Sequence, residues 1–250
     1  MRVFYVNFNS WRQVILLAFC VLGTAGLFTL AMLREPAASP VSTKHSPIIY
    51  RVKTDKKLVA LTFDISWGTK TPGPVLDILK KEKLRCTFFL SGPWVKKYPD
   101  IAKRIAADGH EIASHGHRHI NLSQLPEEEI KNEIKLAHQN ILAVTGKEPN
   151  LIRTPNGDYD AKVLQAAAAV GYSVIQWDAD SLDWKNPGVD TIIRRVTTLT
   201  RPGSIVLLHA SDSCQQTDAA LPAVISELRK QGYKMVTVSE LLRHGPGVIE

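Results

Sequence analysis

Two histidines four residues apart, His115 and His119, are the side chains of this sequence best suited to share one metal ion. On a helical turn this spacing would put both imidazoles on one face. A solvated, histidine-rich loop is the alternative. Asp64 and His209 each follow an apolar run typical of a β-strand, and such groups can act as general base and general acid. Together these residues indicate metal-assisted hydrolysis.

Two further polar motifs follow strand-like runs. Arg153 precedes a turn at 155–157 that can direct its guanidinium inward, where it could clamp a carboxylate and keep its pKa low. Asp180 and Asp183 can each orient a histidine, and Trp184 offers an apolar face to a sugar ring. Taken one at a time, these residues have simpler explanations. The arginine could lie at the surface beside a turn, the aspartates could cap turns, and the tryptophan could pack in the core. Their repeated placement at strand ends favours one shared site.

Strand and helix patterns alternate from residue 58 onward, which indicates an α/β fold with a parallel sheet. Seven units are enough to close a barrel, and an open doubly wound sheet is the alternative. No glycine-rich nucleotide-binding pattern is present. Strands are predicted at 58–63, 86–90, 111–114, 151–153, 173–177, 204–208 and 234–237. Helices are predicted at 71–82, 94–107, 126–144, 160–170, 189–199, 217–231 and 238–243.

The run from Val14 to Leu33 contains no charged residue and is long enough to cross a bilayer. Arg2 and Arg12 precede it, so the positive-inside rule predicts a cytoplasmic N-terminus and an extracytoplasmic remainder. We therefore expect a single-pass protein of the cell membrane, with a cleaved signal peptide as the alternative. The predicted organisation is a cytoplasmic segment at 1–13, a signal anchor at 14–33, a linker at 34–55, a folded domain at 56–243 and a tail at 244–250.

Composition narrows the classes of partner. The 250 residues carry a formal net charge of +7, but no zinc-finger, helix-turn-helix or aromatic RNA-binding signature accompanies it, so we expect no nucleic-acid partner. Three widely spaced cysteines do not form a disulfide framework. We expect a monomer.

The motifs together resemble those of the polysaccharide deacetylases with the NodB homology domain, a carbohydrate esterase family 4-like group. The resemblance spans residues 56–243 and implies a distorted (β/α)7 barrel. The residues around Asp64 and Arg153, together with the predicted anchor, are similar to those of the sporulation-associated PdaB-type branch. The motifs are Thr62-Phe63-Asp64, His115-Gly116-His117-Arg118-His119, Arg153-Thr154-Pro155-Asn156-Gly157, Asp180-Ser181-Leu182-Asp183-Trp184 and Leu207-Leu208-His209.

The resemblance also implies a role for each matching residue. Asp64 matches the catalytic base, Arg153 its partner and His209 the catalytic acid. Asp180 or Asp183 matches the carboxylate that tunes the acid, and we choose Asp183 because it directly precedes a tryptophan. The implied metal ligands are His115 and His119. The implied substrate contacts are Trp184, Leu207, Pro155 and Gly157.

Two departures from the family pattern affect the predicted activity. Ile65 stands where the family has a second aspartate as third metal ligand, so a divalent ion such as zinc is expected to be weakly bound or absent. Asn156 replaces a common aromatic residue. The predicted function is removal of N-acetyl groups from GlcNAc- or MurNAc-type sugars of cell-wall glycan, in sporulation. The alternatives are a degenerate deacetylase that only binds this glycan, and a hydrolase of another acyl bond.

Overall fold

A curled parallel sheet forms the centre of the protein, and the computed structural model describes residues 48–248. The strands of this range are β1 (Arg51–Val52), β2 (Leu58–Ile65), β3 (Thr87–Leu90), β4 (Glu111–Ser114), β5 (Leu151–Ile152), β6 (Ser173–Val174), β7 (Ala179–Asp180), β8 (Ile205–His209), β9 (Lys234–Met235) and β10 (Gly247–Val248). Seven of them pair in the order β6-β5-β4-β3-β2-β8-β7, and all neighbours are parallel. This confirms the predicted α/β class.

The sheet is a half-barrel rather than a closed ring. Its two edges are β6 and β7, and no strand pairing joins them within residues 48–248. Six of the predicted strands lie on this path, but the seventh member is β7, which no predicted strand covered. The predicted strand at 234–237 is instead β9, which pairs with the beginning of β2.

Helices pack around the sheet. They are α1 (Pro72–Lys81), α2 (Gly92–Lys97), α3 (Pro99–Ala107), α4 (Glu127–Thr145), α5 (Ala161–Ala169), α6 (Val189–Leu199), α7 (Thr217–Lys230) and α8 (Val238–Leu242). Short 3₁₀ turns occur at Leu122–Gln124, Pro155–Gly157 and Asp183–Lys185. The single helix predicted at 94–107 is in fact α2 and α3. They separate at Tyr98 (φ −126°, ψ 60°), because Pro99 disfavours the helical conformation of the residue before it.

Side-chain alternation along β2 decides which residues reach the interior of the half-barrel. Phe63 and Ile65 belong to the hydrophobic cluster between the sheet and the helices, whereas Ala60 belongs to the cluster inside the sheet's curve. Because successive side chains of a strand point to opposite faces, Thr62 and Asp64 share the interior face with Ala60. Asp64 therefore lies at the carboxyl end of a buried strand, facing inward.

The folded region extends past the predicted domain limits at both ends. Ile49 forms a parallel bridge with Ile175, and β1 pairs antiparallel with β10. Residues 48–52 and 247–248 are thus part of the domain. Within residues 48–248 no helix is long and apolar enough to cross a bilayer, and the predicted anchor at 14–33 lies outside this range.

Candidate active site

A buried ion pair between Asp64 and Arg153 organises the site. Arg153 is fully buried, and its Nη1 donates hydrogen bonds of 2.8 Å to Asp64 Oδ1 and to Thr62 Oγ1. Its Nη2 donates to the carbonyl oxygen of Gln176 at 3.0 Å, and the guanidinium lies 4.2 Å from the centre of the Phe89 ring. Burial acts to raise the pKa of Asp64, but the charge of Arg153, the two nearby histidines and the hydrogen bond from Arg153 together outweigh burial and hold the pKa below its usual value.

The two metal-site histidines do not lie on a helix, so the predicted helical turn is wrong. His115 follows β4, and the chain then runs as a loop in which Gly116 (φ 72°) and His119 (φ 51°) are left-handed. This turn brings the two imidazole ring centres to 5.1 Å. We call residues 115–119 the histidine loop. His115 is buried, which also excludes the solvated-loop alternative for this residue.

The hydrogen bonds of His115 determine which of its nitrogens is free. Its Nδ1 lies 2.8 Å from the carbonyl oxygen of Arg153, which can only accept, so Nδ1 carries the proton. Nε2 therefore presents a lone pair, 3.7 Å from Asp64 Oδ2. Burial lowers the pKa of His115 to about 4 and also lowers the pKa of His119. Both rings are neutral at pH 7, as metal coordination requires.

These donors fit a divalent cation, although the set is incomplete. Ser66 Oγ is buried without a hydrogen-bond partner and lines the same cleft, so it is one further oxygen at the site. Ile65 supplies no ligand, because its side chain is a hydrocarbon, and it is fully buried within the cluster between the sheet and the helices. The protein ligands present are therefore His115 and His119, with Asp64, Ser66 or water available to complete the shell.

A second pair, His209 and Asp183, lies on the other side of the cleft. Asp183 is fully buried and accepts three hydrogen bonds of 2.7 Å, from His209 Nδ1, from the His209 backbone N–H and from Thr217 Oγ1. Burial acts to lower the pKa of His209, but its hydrogen bond to Asp183 and that residue's charge outweigh burial and raise the pKa. The Asp183 carboxylate thus makes His209 keep its proton to a higher pH than a free imidazole would. Asp180, the alternative partner, instead accepts from the backbone N–H of Leu182.

Cys214 lies beside this pair, and possible ligand atoms of Asp183, His209 and Cys214 lie within 4.8 Å of one another. We do not assign this group as the metal site. Burial raises the pKa of the Cys214 thiol to about 12, so the thiolate that a metal needs is absent at pH 7. Asp183 is also already occupied by three donors.

The two pairs open onto one cleft of about 440 Å³. Trp67 and Trp184 stand on its rim, with 46% and 48% of their surfaces exposed. Trp67 Nε1 donates to Ser213 Oγ at 3.1 Å, and its ring meets that of His119 edge-on at 4.9 Å. Gly157 also lines the cleft, where a Cβ would lie 3.0 Å from the Trp177 ring.

Not every predicted substrate contact reaches this cleft. Leu207 and Pro155 are buried, and neither lines it. Asn156 does line it and donates to Asn121 Oδ1 at 2.7 Å. The sequence interpretation missed Trp67, although an aromatic residue three positions after a strand-end aspartate was a usable signal. It also missed Gln176, which acts through its backbone carbonyl and leaves no sequence signal.

Comparison with known proteins agrees with this geometry. The family model described as Polysaccharide deacetylase matches residues 51–175. A Peptidoglycan-N-acetylglucosamine deacetylase of Bacillus cereus is 38% identical over 200 residues, covering 79% of this chain and 93% of the relative. The Peptidoglycan-N-acetylmuramic acid deacetylase PdaA of Bacillus subtilis is 32% identical over 197 residues, covering 77% and 74%. The chain therefore belongs to the polysaccharide deacetylase family.

A solved structure adds one qualification. A CE4 family pseudoenzyme from Bacillus anthracis has a TM-score of 0.75 and 35% identity, covering 79% of this chain and 69% of that chain. A mutant of that pseudoenzyme is described as having restored enzymatic activity. The CE4 family thus includes proteins of this fold that lack enzymatic activity.

Proposed function

We propose that this protein hydrolyses N-acetyl groups on GlcNAc- or MurNAc-type sugars of cell-wall polysaccharide. The observation that carries the proposal is a pair of buried contacts at one cleft, Arg153 with Asp64 at 2.8 Å and His209 with Asp183 at 2.7 Å. Arg153 favours ionised Asp64, and Asp183 favours protonated His209. A base and an acid held in these states beside two neutral imidazoles suit hydrolysis of an amide.

The residues divide the proposed reaction between them. A divalent ion held by His115 and His119 would polarise the acetamido carbonyl and its attacking water. Asp64 accepts the proton of that water through Oδ2, since Oδ1 already accepts from Arg153. His209 gives its Nε2 proton to the departing amine, while Asp183 holds Nδ1 at 2.7 Å. The products are acetate and a free amino sugar.

Two exposed aromatic side chains suit a glycan substrate. Sugar rings have apolar faces, and the indoles of Trp67 and Trp184 each expose nearly half of their surface at the cleft. The edge contact between Trp67 and His119 places one such surface next to the proposed metal ligands. We infer that a sugar stacked on Trp67 would carry its acetamido group toward His119.

The alternative is a degenerate deacetylase that binds wall glycan without hydrolysing it. Ile65 in place of a third ligand supports it, as does the existence of a related pseudoenzyme. The two ion pairs argue against it, because glycan binding needs neither an ionised base nor a protonated acid.

Replacement of Asp64 by asparagine separates the two functions. Asp64→Asn is nearly isosteric but cannot accept a proton, so acetate release from wall glycan should fall by roughly 10²–10⁴-fold. Asp190→Asn, an exposed aspartate in the first turn of α6, is the matched control and should leave the rate unchanged. If the unaltered protein binds glycan but releases no acetate with any divalent ion, the binder alternative is correct.

We also propose a location and a setting. The uncharged run at 14–33 would anchor the chain as a single span with the folded domain outside. The residues around Asp64 and Arg153 resemble those of the PdaB-type branch, which suggests a role in sporulation. Protease added to intact protoplasts should remove the domain, and protection of the domain would show the opposite orientation.

Loss of the gene should change the acetylation of spore-wall glycan more than that of the vegetative wall. The purified protein should be a monomer of 27.7 kDa in light scattering.

A further inference from the structure

A second cavity lies on the flank of the histidine loop, between α2 and α4. Its volume is about 490 Å³, and it shares no lining residue with the catalytic cleft. We call it the side cavity. Its walls come from Pro93, Lys96, Lys97, His117, Leu136 and Asn140. No carboxylate is among them, so the cavity offers positive charge and amide groups.

Two polar side chains that line the side cavity, His117 and Asn140, meet beside Gly92. His117 Nδ1 is buried and has no hydrogen-bond partner. A Cβ added at Gly92 would lie 2.8 Å from His117 Nδ1 and 3.1 Å from Asn140 Nδ2, so both atoms approach the same backbone position. A buried polar atom without a partner costs free energy, which a bound acceptor would recover.

The two lysines supply the charge. Lys96 and Lys97 are exposed in the last turn of α2, and the Lys97 ammonium lies 5.3 Å from the centre of the Tyr98 ring. The nearest buried acid on α4 is Glu133, but it accepts from the Arg118 backbone N–H at 2.9 Å and from Arg118 Nε at 2.6 Å. Its charge is thus already paired.

We propose that the side cavity binds an oxyanion, a phosphate or carboxylate group carried by the wall polymer. An anionic oxygen can accept from an imidazole N–H, from the Asn140 amide and from two ammonium groups, and such charge-assisted hydrogen bonds are the strong ones. A cation would meet two lysines and no carboxylate. Teichoic-type phosphodiesters and the carboxylates of peptide stems or lactyl groups share this chemistry.

The side cavity touches the loop that carries both proposed metal ligands. Gly92 donates from its backbone N–H to the carbonyl of Gly116 at 3.0 Å, which ties the start of α2 to the histidine loop. His117 itself stands between His115 and His119. A bound oxyanion would therefore hold the polymer against the protein beside the catalytic loop. That the oxyanion belongs to the wall polymer rests on the proposed function, whereas oxyanion binding itself requires neither a bound metal nor turnover.

Nuclear magnetic resonance titration tests the proposal with two probes, glycerol phosphate and lactate, at constant ionic strength. Saturable shifts are expected at the backbone amides of Gly92 and His117 and at the side-chain amide of Asn140. The probe with the higher affinity identifies the preferred group, phosphate or carboxylate. Absence of saturable shifts at these positions with both probes would overturn the proposal.

Variants separate a built site from general surface charge. Removing two charges in Lys96→Ala/Lys97→Ala should weaken binding about tenfold, since exposed ion pairs each contribute modestly. Lys80→Ala/Lys81→Ala is the matched control, because it also removes two consecutive lysines from the last turn of a helix. Equal losses in both pairs would contradict the proposal. Asn140→Leu should also weaken binding at unchanged net charge, and thermal unfolding verifies that each variant folds.

Discussion

At the scale of single residues, Arg153 positions both the proposed base and one of the proposed metal ligands. Its guanidinium holds Asp64, while its backbone carbonyl accepts from His115 Nδ1. One residue therefore keeps the base ionised and selects the tautomer of the neighbouring histidine. A lysine could not do the same, because it lacks the planar fork that reaches Asp64, Thr62 and the Gln176 carbonyl together.

The pH dependence of the reaction should report the pair of Asp183 and His209. His209 has a raised pKa, so its proton, and the stability contributed by its bond to Asp183, are present at low pH and lost as pH rises through that pKa. Asp183→Asn removes the negative charge and should move the alkaline limb of the kcat/KM profile to lower pH. Asp180→Asn removes a charge from the same cleft, but this carboxylate accepts from Leu182 rather than from His209, so the substitution should leave that limb in place. Identical profiles for the two variants would contradict this assignment.

The missing metal ligand can be tested at position 65. Ile65→Asp places a carboxylate in a fully buried apolar environment, so the metal-free variant should lose on the order of 3 kcal/mol of unfolding free energy. If the carboxylate reaches the histidines, zinc would supply its partner and raise Tm more in this variant than in the original protein. Ile65→Asn is the matched control, with similar size but no charge. We expect the zinc-dependent gain only for aspartate, and an equal gain in all three proteins would disprove it.

At the scale of elements, one aspartate joins the two loops that form the cleft rim. The Asp212 carboxylate accepts from the backbone N–H groups of Thr69, Lys70 and Thr71, at 3.1, 2.7 and 3.1 Å. These groups lead into α1, so Asp212 caps that helix from a distant loop. Gly68 (φ 83°) permits the contact, because a Cβ there would lie 2.0 Å from Asp212 Cγ.

Removal of this cap should destabilise the fold. Asp212→Ala leaves three N–H groups without their acceptor, and we expect a loss of about 1–2 kcal/mol in urea denaturation. Asp218→Ala is the control, since its carboxylate accepts only locally, from the next residue's N–H, and should cost less than about 0.5 kcal/mol. Equal losses would show that Asp212 is not a cap.

At the scale of the whole molecule, the two ends of the described chain close the domain together. Tyr50 donates from its backbone to the Val248 carbonyl at 3.1 Å, and Lys53 donates to the Pro246 carbonyl at 2.9 Å. Gly245 packs so close that a Cβ would lie 2.0 Å from the Lys53 carbonyl oxygen. Residues 245–248 are therefore part of the fold rather than a free tail.

Truncation measures how much the contacts between these two ends contribute to the stability of the domain. Deleting residues 245–250 removes the partners of β1 and should cost about 2–3 kcal/mol at roughly 1 kcal/mol per hydrogen bond, lowering Tm by about 4–10 °C. Deleting only residues 249–250 keeps these partners and should change Tm little. A shorter chain that melts at the original temperature would show that β1 and β10 contribute nothing to stability.

Local patterns in the sequence were enough to predict the α/β class and most helices. α6 lies at its predicted bounds, and α4 begins after Pro126 and ends at left-handed Gly146, because caps and periodicity act over a few residues. The break between α2 and α3 was also local, since Pro99 marks it. The short strand β7 was not predictable, because two residues carry no periodicity and its pairing with β8 depends on distant chain.

The candidate site shows the same division. The sequence alone identified the residue types at the strand ends, because their order matches a known family. The resemblance also implied that Arg153 pairs with Asp64 and that Asp183 rather than Asp180 serves His209, and the structure contains both contacts. Only the tertiary structure decided that Arg153 also holds His115 and that Trp67 meets His119. These partners lie 26 to 89 residues apart in the chain. Their contacts, and the pKa shifts that burial and paired charge produce, arise only when the half-barrel brings the strand ends together.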